Sequence, residues 1–247
     1  MSSKQLSTMS KLPYGIPLPN GLGTDPPLPT NAPTIGYKLN HLCLRVRDLD
    51  KSLHFYVNLM GMRTLYASNN GPFTVYFLGY PQTDRHRENL KEFGEQTSIP
   101  DTLGLLELLH MHGAENQPEG FYGSGNQPPY LGFCHPGFGV PDLPAAMKRL
   151  KENGVKVIRD IGIAPGDVTV RHVPITEWEN AHEVGVETKG TKTELHPLFK
   201  KIFTNFAYVQ DPVGNQNGAE WALLTLLQDG YWVELLPQGF GVESLNL

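Results

Sequence analysis

The chain has 247 residues and a formal net charge of −5, from 20 basic and 25 acidic residues, a balance that excludes a nucleic-acid partner held by basic charge. It has no apolar run long enough to span a bilayer, and two cysteines are too few for a disulfide framework. We therefore expect a cytoplasmic globular protein. A transit-peptide interpretation of residues 1–24 stays open, because the segment is Ser-rich and lacks acidic residues.

The first unit of the chain shows a strand, a helix and then further strands. Asp48 predicts the N-cap of an amphipathic helix, and Gly61 predicts its C-terminal stop. The expected elements, in chain order, are an extended or disordered arm over 1–36, a strand over Tyr37–Arg47, a helix over 49–60, a strand over 74–78, a surface loop over 81–100 and a strand over 103–109.

The same order of landmarks recurs 94 residues later. His135 follows His41 at that spacing, and Val140-Pro141-Asp142-Leu143 follows Val46-Arg47-Asp48-Leu49 at the same spacing. Asp142 is a second candidate N-cap, and the residues after it favour a helix. The repeat predicts two modules of the same design.

Each unit also places a glutamate inside a short apolar strand. Glu107 is flanked by leucines, and Glu234 lies within Tyr231-Trp232-Val233-Glu234-Leu235-Leu236. The expected boundaries are 37–115 for the first module and 130–240 for the second, which carries insertions at 164–199 and 213–228.

The two histidines and two glutamates predict a metal site. A buried carboxylate is costly unless it is paired or bound to a cation, and here each glutamate is matched to a histidine in its own unit. His41, Glu107, His135 and Glu234 would suit a borderline divalent ion such as Zn, Ni, Co, Mn or Fe. The alternative is that the carboxylates pair with Arg45 or Arg47 in buried ion pairs.

The sequence resembles the glyoxalase I family of the vicinal oxygen chelate superfamily. The matching segments are His41-Leu42-Cys43-Leu44-Arg45-Val46-Arg47-Asp48, Ser52-Leu53-His54-Phe55-Tyr56, Leu59-Met60-Gly61-Met62, Leu106-Glu107-Leu108, Gly132-Phe133-Cys134-His135, Val140-Pro141-Asp142, Gln210-Asp211-Pro212 and Asp229-Gly230-Tyr231-Trp232-Val233-Glu234. The resemblance implies an α+β fold of two tandem βαβββ modules with curled mixed sheets around a metal site.

The resemblance also implies an activity and the residues that carry it. The family isomerises the hemithioacetal of methylglyoxal and glutathione to S-lactoylglutathione, as a carbon–sulfur lyase that uses one divalent metal per site, Zn or Ni, and glutathione as co-substrate. His41, Glu107, His135 and Glu234 match its metal ligands, and Glu234 matches its principal base. Glu107 would hold the metal and assist on the other face of the substrate.

Three positions bear on the substrate. Arg45 matches a family position that binds a glutathione carboxylate, and strand alternation puts it on the face of His41. Met111 and Leu131 stand where the family commonly has Asn and Arg, and alternation is expected to aim both at the ligand side. Two alternatives stay open: a related enzyme with a different, more apolar substrate, and a metal-free small-molecule binding protein.

Three further expectations concern the insertion, the assembly and the thiols. Val213–Gln228 splits a motif that is continuous in the family, and a Val codon (GT…) and the Gln codon CAG match intron end signals. A translated intron and a genuine loop insertion both stay open, and sequencing the mature transcript separates them.

The chain is expected to be a monomer or a module-exchanged homodimer. Cys43 and Cys134 are expected to be small buried residues.

Overall fold

The computed structural model describes residues 25–118, 120–127, 130–163, 197–211 and 230–241. Its strands are β1 (His41–Arg45), β2 (Arg63–Asn69), β3 (Phe73–Gly79), β4 (Leu105–Met111), β5 (Asn126–Gln127), β6 (Tyr130–Leu131), β7 (Gly137–Val140), β8 (Val157–Arg159), β9 (Ala207–Gln210) and β10 (Trp232–Pro237). Its α-helices are α1 (Leu49–Leu53), α2 (Asp84–Glu88), α3 (Leu90–Gln96), α4 (Leu143–Glu152) and α5 (Pro197–Phe203).

The first four strands form one mixed sheet in the order β1-β4-β3-β2. β1 is parallel to β4, and the other neighbours are antiparallel. The Asp48 side chain caps α1 by accepting from the backbone N–H of Lys51, and the helix continues as a π-helix over His54–Leu59. Gly61 then adopts a positive φ of 82°, so the predicted helix and its stop are confirmed.

The second sheet repeats this design in the order β7-β10-β9-β8. β7 is parallel to β10, and β9 is antiparallel to both of its neighbours. Asp142 caps α4 through the backbone N–H of Ala145, as Asp48 does for α1. The two four-stranded mixed sheets confirm the predicted α+β fold of repeated modules.

The two sheets share one hydrophobic core. Phe55, Tyr56 and Leu59 of the first helical segment belong to the same buried cluster as Val209 and Val233 of the second sheet. The cluster therefore joins the modules through the faces on which the helices pack.

Buried polar contacts reinforce this junction. The Tyr56 hydroxyl donates to Oδ2 of Asp211 over 2.8 Å, and Oδ1 of Asp211 accepts from the backbone N–H of Tyr231 over 2.9 Å. The Tyr231 hydroxyl in turn donates to the carbonyl of Arg45 over 3.1 Å. Asp211 and Tyr231 flank the 213–228 insertion. Their hydrogen bond therefore links the adjacent ends of β9 and β10.

Several predicted elements need correction. The expected loop over 81–100 holds α2 and α3, and the first strand begins at His41 instead of Tyr37. The insertion predicted over 164–199 ends within helix α5, which begins at Pro197. Residues 164–196 of this insertion, the insertion 213–228 and arm residues 1–24 lie outside the described residues. Among the helices that the structure describes, none is both long and apolar enough to cross a membrane.

Candidate metal centre

The first histidine–glutamate pair lies on neighbouring strands. β1 and β4 run parallel, and the Nε2 atom of His41 lies 3.2 Å from Oε2 of Glu107. The other ring nitrogen of His41, Nδ1, is 2.6 Å from Oδ1 of Asn40, whose amide nitrogen donates to two backbone carbonyls. Because Asn40 Oδ1 can only accept a hydrogen bond, Nδ1 of His41 carries the proton. The Nε2 atom then keeps its lone pair, which can coordinate a cation.

The second pair repeats this arrangement. His135 lies two residues before β7 instead of on the strand itself, and its Nε2 atom is 3.2 Å from Oε2 of Glu234 on β10. The backbone N–H of Glu234 donates to the carbonyl of Pro136, which fixes the strand beside the histidine. The Tyr208 hydroxyl donates to the other oxygen of the carboxylate, Oε1. Tyr208 was not among the site residues predicted from the sequence.

The geometry of each pair fits half of a metal site. Two ligands held at about 2.1 Å in neighbouring positions of one ion lie about 3 Å apart. The nitrogen–oxygen separation of 3.2 Å in both pairs is close to this value. Imidazole nitrogen and carboxylate oxygen are also the donor types that suit a borderline divalent cation.

The four side chains do not come together within one chain. Among the residues that the structure describes, no group of three or more His, Cys, Asp and Glu side chains is placed to hold a metal ion. The alternation of each strand gives the reason: Leu44, Leu106 and Leu108 point into the shared core, whereas His41 and Glu107 lie on the opposite face.

The second module follows the same rule. Val233 and Leu235 belong to the shared core, so Glu234 between them points to the other face of its sheet. The two pairs therefore face away from the junction that joins the modules. Within one chain, the described residues therefore form two separate His–Glu half-sites.

Of the three predicted substrate residues, two lie on the expected face. Arg45 is exposed on β1 two residues after Cys43, and Met111 is 39% exposed at the end of β4, in alternation with Glu107. Leu131 belongs to the separate β5–β6 hairpin, so the alternation argument does not extend from it to His135.

The expectation of buried thiols is wrong, because Cys43 and Cys134 are both exposed. Partial burial and the neighbouring Glu107 carboxylate raise the pKa of the Cys43 thiol to about 11, so the thiol keeps its proton and is a poor nucleophile at neutral pH. Cys134 Sγ lies 3.1 Å from Nδ1 of His135.

We expect metal binding to the metal-free protein to release a proton from His135. Burial lowers the pKa of this imidazole, but hydrogen bonds with Cys134 and Glu234 and the charge of the Glu234 carboxylate outweigh it and raise the pKa to about 9. A metal ligand must be the neutral imidazole, so below this pKa the proton competes with the cation.

Affinity for Zn²⁺ should therefore rise about tenfold per pH unit between about pH 7 and 9, and then level off. Calorimetric titrations at pH 7.5 in buffers of different ionisation enthalpy count the protons, with about one expected from His135. A flat affinity across this range would contradict the assignment of His135 as a ligand.

Comparisons with known proteins show the family to which the chain is similar. A sequence model described as Glyoxalase/Bleomycin resistance protein/Dioxygenase superfamily matches residues 38–177. The chain is 36% identical over 155 residues to a lactoylglutathione lyase of Pseudomonas aeruginosa, covering 60% of this chain and 83% of that protein. It is 35% identical over 132 residues to glyoxalase I of Saccharomyces cerevisiae, covering 51% of this chain but only 38% of the yeast protein.

One of the solved structures that the chain matches is the glyoxalase I of Leishmania major. The match has a TM-score of 0.40 and 19% sequence identity, and it covers 85% of this chain and 90% of the other. A similarity at this level does not bear on substrate or mechanism.

Proposed function

Because the chain belongs to the Glyoxalase/Bleomycin resistance protein/Dioxygenase superfamily, we propose that it is a lactoylglutathione lyase acting on the hemithioacetal of methylglyoxal and glutathione. The observation that carries the proposal is the pair of equivalent His–Glu half-sites, His41 with Glu107 and His135 with Glu234, each with a separation of 3.2 Å. The similarity to named lactoylglutathione lyases supports the same reaction.

The reaction moves a proton between two neighbouring carbons. A divalent cation held by His41, Glu107, His135 and Glu234 would supply Lewis-acid stabilisation of the negative charge that develops on the substrate oxygens. Glu234 accepts the proton from the first carbon and returns it to the second, which requires a carboxylate held beside the reacting atoms. Glu107 would hold the cation and assist on the opposite face of the substrate.

Binding of the glutathione part of the substrate is assigned to Arg45. Its guanidinium is exposed on the ligand face of β1, where it can pair with a carboxylate of glutathione. Burial raises the pKa of the Tyr122 hydroxyl, and the charge of Arg45 opposes this rise.

We further propose that the active assembly is a module-exchanged homodimer. β1 and β7 each lie at one edge of their four-stranded sheets. His41 is the first residue of β1, and His135 lies two residues before β7. A second copy that places its second half-site against the first half-site of this chain completes four ligands without disturbing the shared core. The dimer would contain two such sites.

Thioester formation from methylglyoxal and glutathione tests the function directly. We expect the purified protein to be active with Zn²⁺ or Ni²⁺, inactive after chelation, and active again when the metal is restored. The comparison of the two metals also decides which one the site prefers. A protein that binds stoichiometric metal and forms no thioester would contradict the proposed substrate.

Met111 favours a second candidate, an enzyme of the same superfamily with a more apolar substrate. The side chain lies on the face of Glu107 and is partly exposed, so it offers an apolar contact where the family commonly has a polar residue. Metal-dependent turnover of an apolar analogue of the hemithioacetal, with none of the glutathione adduct, would favour this candidate.

A further inference from the structure

The two modules build nearly the same surroundings for their half-sites. Phe77 lies opposite Glu107 in the β3–β4 register, and Tyr208 lies opposite Glu234 in the β9–β10 register. Each ring stands edge-on to the histidine of its own pair, with centroids 5.2 Å apart in both cases. The phenolic hydroxyl of Tyr208 is the difference between these two ring positions.

This hydroxyl gives the two oxygens of Glu234 different partners. Oε1 accepts the hydrogen bond from Tyr208, whereas Oε2 faces Nε2 of His135 at 3.2 Å. Phe77 has no hydroxyl and cannot make the corresponding contact with Glu107. The Cys43 thiol bonds to Glu107 instead, and a thiol is a weak donor. The carboxylate of Glu234 is therefore held more firmly than that of Glu107.

The Tyr208 ring is itself fixed by buried contacts. Its side chain is fully buried, and the guanidinium of Arg159 lies 5.1 Å from the ring centroid. Arg159 donates to the backbone carbonyls of Ile163 and Phe203, which anchors it beneath the ring. The hydroxyl thus approaches Glu234 from a rigid support instead of from a mobile side chain.

We propose that Tyr208 is a positioning residue that orients the Glu234 carboxylate. By holding Oε1, it leaves Oε2 as the single oxygen on the ligand side and keeps the carboxylate aligned with the reacting carbons. It makes the two glutamates inequivalent and explains why the second, rather than the first, serves as the base. The kinetic part of this inference rests on the proposed function, whereas the effect on metal binding does not.

The test is Tyr208→Phe, which removes the hydroxyl and keeps the ring. Outer hydrogen bonds to metal ligands typically contribute about 10- to 100-fold to metal affinity or activity. We expect kcat to fall in this range with KM changed less than about twofold, and the dissociation constant for Zn²⁺, measured by chelator competition, to rise. The visible absorption of Co²⁺ bound in place of Zn²⁺ should also shift.

Tyr80→Phe is the matched control. The Tyr80 hydroxyl of the parent protein donates to the carbonyl of Met60 over 2.9 Å, away from both half-sites. The control should leave kcat, Zn²⁺ affinity and the Co²⁺ spectrum as in the parent protein.

Two results separate this inference from the proposed function. A parent protein that lacks hemithioacetal activity overturns the proposed function, and Tyr208→Phe is then judged by Zn²⁺ affinity and the Co²⁺ spectrum alone. An active parent with unchanged kcat, affinity and spectrum in Tyr208→Phe overturns the positioning role alone. Failure of the parent to bind either ion overturns both.

Discussion

Replacing Glu234 by glutamine should lower kcat for hemithioacetal isomerisation by about 10²- to 10⁴-fold at saturating metal, the range that general acid–base catalysis contributes. Glutamine keeps the length of the side chain and an oxygen that can accept from the Tyr208 hydroxyl. It cannot take a proton from carbon at neutral pH. The loss should therefore fall on the chemical step rather than on the fold, and KM should change little.

Two matched substitutions make this result specific. Glu95→Gln removes a carboxylate that is 63% exposed and paired with Lys91 on the surface of α3, and it should leave kcat unchanged. Glu107→Gln should weaken Zn²⁺ binding and recover more of its activity than Glu234→Gln when excess metal is added. Retention of kcat within tenfold of the parent by Glu234→Gln would contradict its assignment as the base.

The sequence was most informative where local chemistry decides the structure. Asp48 and Asp142 were identifiable as N-caps because a carboxylate that accepts a backbone N–H is a local feature. Glu107 and Glu234 stood out because a charge within an apolar strand needs a partner. In each module that partner is the histidine predicted as a ligand, His41 for Glu107 and His135 for Glu234.

The sequence failed where the signal was weak or long-range. α2 and α3 were missed because they are short and charged, and Phe93 is the only buried residue of their described side chains, so no apolar period marks them. β2 was missed because most of its residues are exposed. Tyr208 could not be aligned with Phe77 by spacing, because the long insertion after residue 163 breaks the regular repeat.

The separation of the two half-sites is also a long-range property. Alternation along β1 correctly places His41 and Arg45 on one face of the strand. It does not tell which face of each sheet packs against the other module, because that depends on how the helices and both sheets share the core. The donor types were therefore predictable from the sequence, whereas the separation of the two half-sites within one chain became visible only in the fold.

The proposed module-exchanged homodimer leads to the largest qualitative effect that we expect. Without excess metal, Glu107→Gln and Glu234→Gln homodimers should both be nearly inactive, yet a heterodimer of the two variants should regain about half of the parent activity per dimer. In a module-exchanged dimer, one site combines both damaged half-sites, whereas the other combines the intact first half-site of one chain with the intact second half-site of its partner. Co-expression with two different affinity tags isolates this heterodimer.

The design excludes the simpler explanations for recovery. If each chain completed its own site, every site in the heterodimer would carry one damaged glutamate, and no activity would return. A heterodimer of His41→Ala with Glu107→Gln, both altered in the first half-site, should stay inactive because each of its sites then receives one damaged half. Recovery in the first heterodimer and not in the second would mean that the partner chain supplies Glu234 to the site that Glu107 begins. Light scattering that gives a monomeric mass for the fully active parent would contradict the exchanged dimer outright.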